Sequence, residues 1–219
     1  MSQPGLRELK KQRTRQQIGD VARRLFAERG FEGVTVADVA RAAEVSEATV
    51  FNYFPTKEDL FYSGLEAFEE ALLSSIRERQ PGESIFDAFS RFVLTPRGLL
   101  AERDPKAVER LAAITRVIEE SPALLGREQR IFEGYTDALA ALIADETGAR
   151  PGAVEAWVVA NALMGVHRSL VALSRRQILA GERNPALARR VRSEAKKALA
   201  ALESGLGEYG AKSRGRQGR

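Results

Sequence analysis

The sequence contains no cysteine and only one histidine, His167, among its 219 residues. The first absence excludes disulfides, thiolate metal sites and cysteine nucleophiles. The second excludes zinc motifs that draw two histidines from one chain. No metal site and no cofactor is therefore expected. Aromatic residues are sparse at 7%, with a single tryptophan, Trp157. The longest apolar run, Ala156 to Val166, is interrupted by Asn161, and a bilayer span needs about 20 residues. No apolar stretch follows the early basic residues, so no signal peptide or membrane association is expected, and the expected location is the cytoplasm. Alternating segments joined by Asn-Gly or Asp-Gly turns are missing as well, which argues against a β fold.

What remains reads as helix after helix, and the expected class is all-α. Ile18, Val21, Ala22, Leu25 and Phe26 fall on one helical face, and Gly30 follows as a terminator. Thr35 with Asp38, Thr56 with Asp59, and Ser84 with Asp87 each repeat the spacing of a capping box. Asp104-Pro105, Ser121-Pro122 and Asn184-Pro185 each pair an N-cap with a proline at the first helical position. The helix starting after Thr56 is expected to run on to about Gln80. From about Ala153 to Ala180 the apolar residues occupy more than one face, so that helix must be covered on several sides. After Gly205 the chain turns to Gly, Ser, Lys, Arg and Gln, a composition that predicts disorder. These features divide the chain into residues 1–55 (a basic arm and a three-helix head), 56–204 (a larger helical domain) and a basic tail, 205–219.

The head carries the chemistry. Two short helices, after Thr35 and after Ser46, are joined by a tight break at Glu44 and Val45, the pattern of a helix-turn-helix. In such a unit the first helix braces the second, whose leading residues enter a major groove. Ala40 and Ala43 are small where the helices must approach. Val45, Val50 and Phe54 return the second helix to the core. Its other face carries Glu47, Ala48, Thr49, Asn52 and Tyr53. Asparagine can pair with adenine in two bonds, threonine can touch a thymine methyl, and tyrosine can reach a phosphate. Lys57, opening the next helix, completes a phosphate clamp. Charge alone does not single out this head. Residues 1–60 hold ten basic and nine acidic side chains, a net +1 within a chain of +4. Five of the ten, Arg7, Lys10, Lys11, Arg13 and Arg15, precede residue 16 and are opposed there only by Glu8.

The stretch Phe31–Leu60, FEGVTVADVARAAEVSEATVFNYFPTKEDL, resembles the DNA-binding signature of the TetR family of transcriptional regulators. The upstream helix with Ala22, Leu25, Phe26 and Gly30 matches too, so the likeness covers about residues 12–62. The resemblance implies a homodimer that reads a roughly palindromic operator and is released by a small-molecule effector bound in the C-terminal domain. The expected DNA-binding set is Thr35, Ser46, Glu47, Ala48, Thr49, Asn52, Tyr53 and Lys57. Phe51 stands where the family often has tyrosine, so a hydroxyl contact is lost there. Glu44 stands where the family usually has glycine, so either the turn tolerates a side chain or its geometry differs. Glu47 brings a negative charge close to DNA, where it either reads a cytosine amine or repels wrong operators.

In the larger domain Phe92, Phe132, Tyr135, Trp157, Asn161 and His167 are the expected effector-binding residues: aromatic walls with a few polar anchors. Ordinary core packing is the competing reading for each of them. Dimerisation is expected to use the helix over 153–180 and the one over 185–203, giving a four-helix bundle. Enzyme chemistry finds no support: phosphate loop, nucleophile with a nearby base and metal cluster are all missing, and Glu119 and Glu120 point apart on a helix.

Overall fold

The computed structural model describes residues 5–95, 105–182 and 185–206, and within these it is all-α, with ten helices and no strand. Residues 207–219 of the expected basic tail and the expected caps Asp104 and Asn184 lie outside the described residues, whereas Gly205 and Leu206 still belong to the last helix. The chain forms two compact units: residues up to Ala67 together with Arg116–Glu128, and Phe68–Thr115 together with residues from Gln129 onward.

The first unit is built on α1 (Leu6–Arg29), against which α2 (Val36–Ala42) and α4 (Lys57–Phe61) pack, while α3 (Glu47–Tyr53) packs on α2. The basic residues expected to form an arm lie inside α1, with Arg7, Lys10, Lys11 and Arg13 exposed along it. Gly30 ends that helix at φ 72°, and its N–H donates to the Phe26 carbonyl. Ile18, Ala22, Leu25 and Phe26 are buried, together with Val39, Ala40, Ala43, Val50, Phe54 and Leu60. The expected caps form. Thr35 and Thr56 each accept the N–H of the acid three residues on, and that acid accepts the cap's own N–H. Each such cap contributes about 1 kcal/mol.

The helix after Thr56 does not run through to Gln80. It breaks after Phe61 and resumes as α5 (Glu66–Arg77). The break is glycine-dependent: Gly64 sits at φ 96°, a conformation that side-chain-bearing residues avoid. Two long-range bonds explain why residues 116–128 join this unit. The Tyr62 hydroxyl donates to the Leu124 carbonyl (3.2 Å), and Arg127 Nε donates to the Asp59 carboxylate (2.6 Å).

The second unit contains α5, α6 (Ile85–Leu94), most of α7 (Pro105–Glu119), most of α8 (Pro122–Thr147), α9 (Val154–Leu179) and α10 (Ala186–Leu206). Here α10 packs along both α9 and α6. Arg79, whose side chain is 1% exposed, donates to Glu146 and to the Ile76 carbonyl, both at 2.9 Å, so its buried charge is matched. By length and composition α9 could cross a bilayer. Its Ala156, Val159, Ala160, Leu163, Met164, Val166 and Leu170 instead lie buried in the unit's core. That is where an apolar helix of a globular unit belongs.

Candidate nucleic-acid interface and aromatic cluster

The turn between α2 and α3 is held from three sides. Val45 N–H reaches the Ala40 carbonyl (3.0 Å), and Glu44 N–H reaches the Arg41 carbonyl (3.3 Å). These two bonds define a Schellman end with Glu44 at the left-handed position. From α1, Gln17 Nε2 donates to the Ala43 carbonyl (3.1 Å). Glu44 has φ 57°, the one non-glycine residue at positive φ among the described residues. The turn therefore keeps the geometry a glycine would favour and accommodates a glutamate in it. The same pair of bonds closes α8, with Gly148 at the matching position, and α9, with Gly181.

The brace leaves one face of α3 open. Val50 and Phe54 are 0% and 1% exposed, whereas Ser46, Glu47, Ala48, Phe51 and Asn52 are exposed and Thr49 and Tyr53 are half-buried. Ser46 caps α3: its hydroxyl oxygen accepts the Thr49 N–H (3.1 Å) and lies 2.8 Å from the Thr49 hydroxyl. Phe51 is 47% exposed, unusual for so large an apolar ring. Thr35 is exposed too, but its hydroxyl donates to Asp38 Oδ2 (2.7 Å), so it serves the start of α2. The bonds from Thr35 hold the Asp38 carboxyl below its ordinary pKa, with smaller help from Arg41 and Arg29. Two cations lie over rings at this end of the unit. Lys57 Nζ is 4.2 Å from the Phe31 centroid, and the Arg15 guanidinium is 5.0 Å from that of Phe54.

Residues 18–63, the segment that builds this brace and its open face, match the family model of bacterial regulatory proteins, tetR family. This head therefore carries the sequence signature of the TetR family. Over 46 residues the chain is 54% identical to the HTH-type transcriptional regulator LuxR of Vibrio harveyi, a match covering 21% of this chain and 22% of that one. A longer match, 33% identical over 147 residues, links it to the HTH-type transcriptional regulator TcmR of Streptomyces glaucescens. That match covers 66% of this chain and 65% of TcmR, just under two thirds of that relative's length. Among solved structures, a TetR-family regulator from Mesorhizobium loti superposes with TM-score 0.53 at 18% identity, covering 88% of this chain and 96% of that one. One from Rhodococcus gives TM-score 0.51 at 22% identity, covering 88% and 98%. The TetR fold thus extends over both units, while the sequence likeness concentrates in the head. The named relatives are regulators, and the family is one of regulatory proteins rather than enzymes.

In the second unit the structure divides the six expected effector residues. Phe92, Phe132, Tyr135 and His167 come together, joined by Phe68 of α5. The His167 imidazole stacks on Phe68 (4.6 Å, 28°) and meets Phe132 edge-on (5.7 Å, 85°). Phe68 in turn contacts Phe92 (5.4 Å) and Tyr135 (5.6 Å). Burial, with a smaller contribution from the neighbouring Arg168 charge, pushes His167 from 6.5 down to about 4, so the imidazole is neutral at physiological pH. Trp157 and Asn161 stand apart, on the opening turns of α9. Asn161 donates to the Trp157 carbonyl (2.9 Å). Trp157, 51% exposed, borders a shallow groove with Asp137, Ala140, Ala141 and Val154. No signal in the sequence marks Phe68 as the ring that stacks on His167, because its spacing matches that of any core residue.

Proposed function

We propose that this chain is a ligand-responsive transcriptional repressor that binds a palindromic operator as a homodimer and leaves it when a small molecule binds. One observation carries the DNA-binding part: α3 is anchored by Val50 and Phe54 while Glu47, Ala48, Phe51 and Asn52 stay exposed, so a base-reading face is presented on a rigid support. In this reading Asn52 and Thr49 read bases, Tyr53 and Lys57 hold the backbone, and Ser46 fixes the start of the reading helix. Thr35 acts through the bracing helix. The protein works in the cytoplasm, where its operator is.

Selection of duplexes from a random pool, followed by gel shifts, tests the assignment. Tyr53→Ala and Lys57→Ala weaken binding to all sequences, whereas Asn52→Ala alters the preferred sequence. Unchanged affinity and preference in all three variants refute it.

Dimerisation is supported by the apolar side chains left exposed on α9, with Val154 75%, Trp157 51% and Val158 54% exposed. Leu170, farther along the same helix, is buried within its own unit, so the exposed Val158 is the position that tests this face. The effector site is proposed at the aromatic cluster. Its ring faces and neutral imidazole suit a flat, uncharged organic molecule better than an ion. Such a ligand would act by favouring the dimer conformation whose heads are badly spaced for successive major grooves.

A further inference from the structure

We propose that Phe31 is a positioning residue for the DNA backbone: its ring face holds the Lys57 ammonium in place, so the cation is ordered before a phosphate arrives. This inference rests on the DNA-binding role proposed above. The Lys57 Nζ lies 4.2 Å from the centre of the Phe31 ring, within the range of cation–π attraction. The ring is itself fixed. Phe31 is 5% exposed, tilted against Phe26 (5.4 Å) and edge-on to Phe61 (5.8 Å). A platform drawn from α1, the loop after it and α4 therefore supports one lysine.

The choice of a ring rather than a carboxylate as partner matters. A lysine paired with an acid would present a neutralised pair to the phosphate. A lysine on a ring keeps its full charge, and its N–H donors remain available. Among the described residues Lys57 makes no ion pair, although Glu58 and Asp59 follow it in sequence; Asp59 is committed to the Thr56 cap and to Arg127. Across residues 1–60, whose net charge is only +1, the placement of each cation weighs more than their number. A free lysine must surrender rotamer freedom when it grips a phosphate. A lysine already held surrenders less, which is worth about two- to tenfold in affinity.

The test uses the full-length protein and a short mixed-sequence DNA duplex, with binding followed by fluorescence anisotropy across a salt series. Phe31→Leu is expected to weaken binding about two- to tenfold, and Phe31→Tyr, which keeps a ring face, to bind as the unmodified protein does. In a Lys57→Ala background, Phe31→Leu is expected to add nothing. An equal loss in both backgrounds overturns the proposal, because Phe31 would then act through the fold and not through Lys57. A second readout needs neither DNA nor a mutant. In lysine-labelled protein the Lys57 ε-methylene protons should lie upfield of the free-lysine position, shielded by the ring. Absence of that shift overturns the ring–ammonium geometry itself. If the shift is present but no duplex binds, the DNA-binding reading is what has failed.

Discussion

Because His167 is the only histidine in the chain, its ionisation can be followed without ambiguity, and it gives the sharpest test of the second unit. Its pKa is lowered from 6.5 to about 4, first by burial, where the ring meets Phe68 and Phe132, and then by Arg168. A depressed folded pKa means that the folded state resists a proton the unfolded chain accepts. The stabilisation is thus fully present above pH 6.5, fades as pH falls below it, and is spent once pH reaches about 4. One pKa unit corresponds to about 1.4 kcal/mol. The whole window is therefore worth about 3 kcal/mol, of which about 2 kcal/mol is already lost at pH 5. The control is His167→Phe, which keeps a ring against Phe68 but cannot take up a proton. Urea unfolding of both proteins, at matched concentration from pH 8 to pH 4.5, should show a stability difference that shifts in the variant's favour by that amount as the medium acidifies. Groups shared by the two proteins cancel in the comparison. The imidazole proton resonance should hold its position through pH 6.5. A resonance that titrates near 6.5, or a stability difference that is flat with pH, refutes the claim that the ring is buried and neutral.

Three further substitutions test local geometry and assembly. Gly33→Ala would set a methyl 2.4 Å from the Arg29 carbonyl oxygen at the end of α1. It should cost about 1–3 kcal/mol, read as a lowered thermal midpoint, and an unchanged midpoint would show that the loop before α2 is free to adjust. Glu44→Gly removes the cost of an L-residue at positive φ, roughly 1 kcal/mol, partly offset by the greater freedom of glycine in the unfolded chain. A net gain of a few tenths of a kcal/mol in chemical denaturation is expected, and a loss would mean that the glutamate side chain contributes to the turn. Val158→Glu places a charge on the exposed apolar face of α9 and should shift the proposed dimer to monomer in sedimentation without changing the circular dichroism spectrum. A dimer that persists in this variant would move the interface elsewhere.

The head was legible in the sequence because its signals are local. Capping boxes at Thr35 and Thr56, the cap at Ser46, and the terminator Gly30 each depend on bonds spanning three or four residues, and all four form. The buried set Val39, Ala40, Ala43, Val50 and Phe54 follows from helical spacing once those ends are fixed. The break in the helix after Thr56 was missed because Leu60, Phe61, Leu65 and Phe68 keep an apolar rhythm across Tyr62–Leu65, which hides what Gly64 does to the backbone. The participation of residues 116–128 in the first unit was also beyond reach. It rests on the bonds of Tyr62 to Leu124 and of Arg127 to Asp59, which join positions more than sixty residues apart. The aromatic cluster lies between these cases. Four of its members were visible as unusual residues in a chain poor in rings, but their convergence, and the exclusion of Trp157 from it, is a property of tertiary packing.

The near-neutrality of the head bears on how the proposed regulator would act. Affinity for DNA at large scales with the number of phosphates a protein neutralises. A head with ten basic and nine acidic residues in its first sixty can grip few of them strongly. One head alone should thus bind weakly and with a shallow salt dependence. Two heads joined in a dimer act together, because the second binds at the high effective concentration set by the first, provided that both reach the same face of the duplex. Affinity built this way is sensitive to spacing. A change that misplaces one head by a fraction of a helical turn leaves its contacts intact yet removes the gain from joining them. An effector at the aromatic cluster would then need to supply only a modest preference between two dimer conformations to release DNA, and a strongly basic head would have made such release harder.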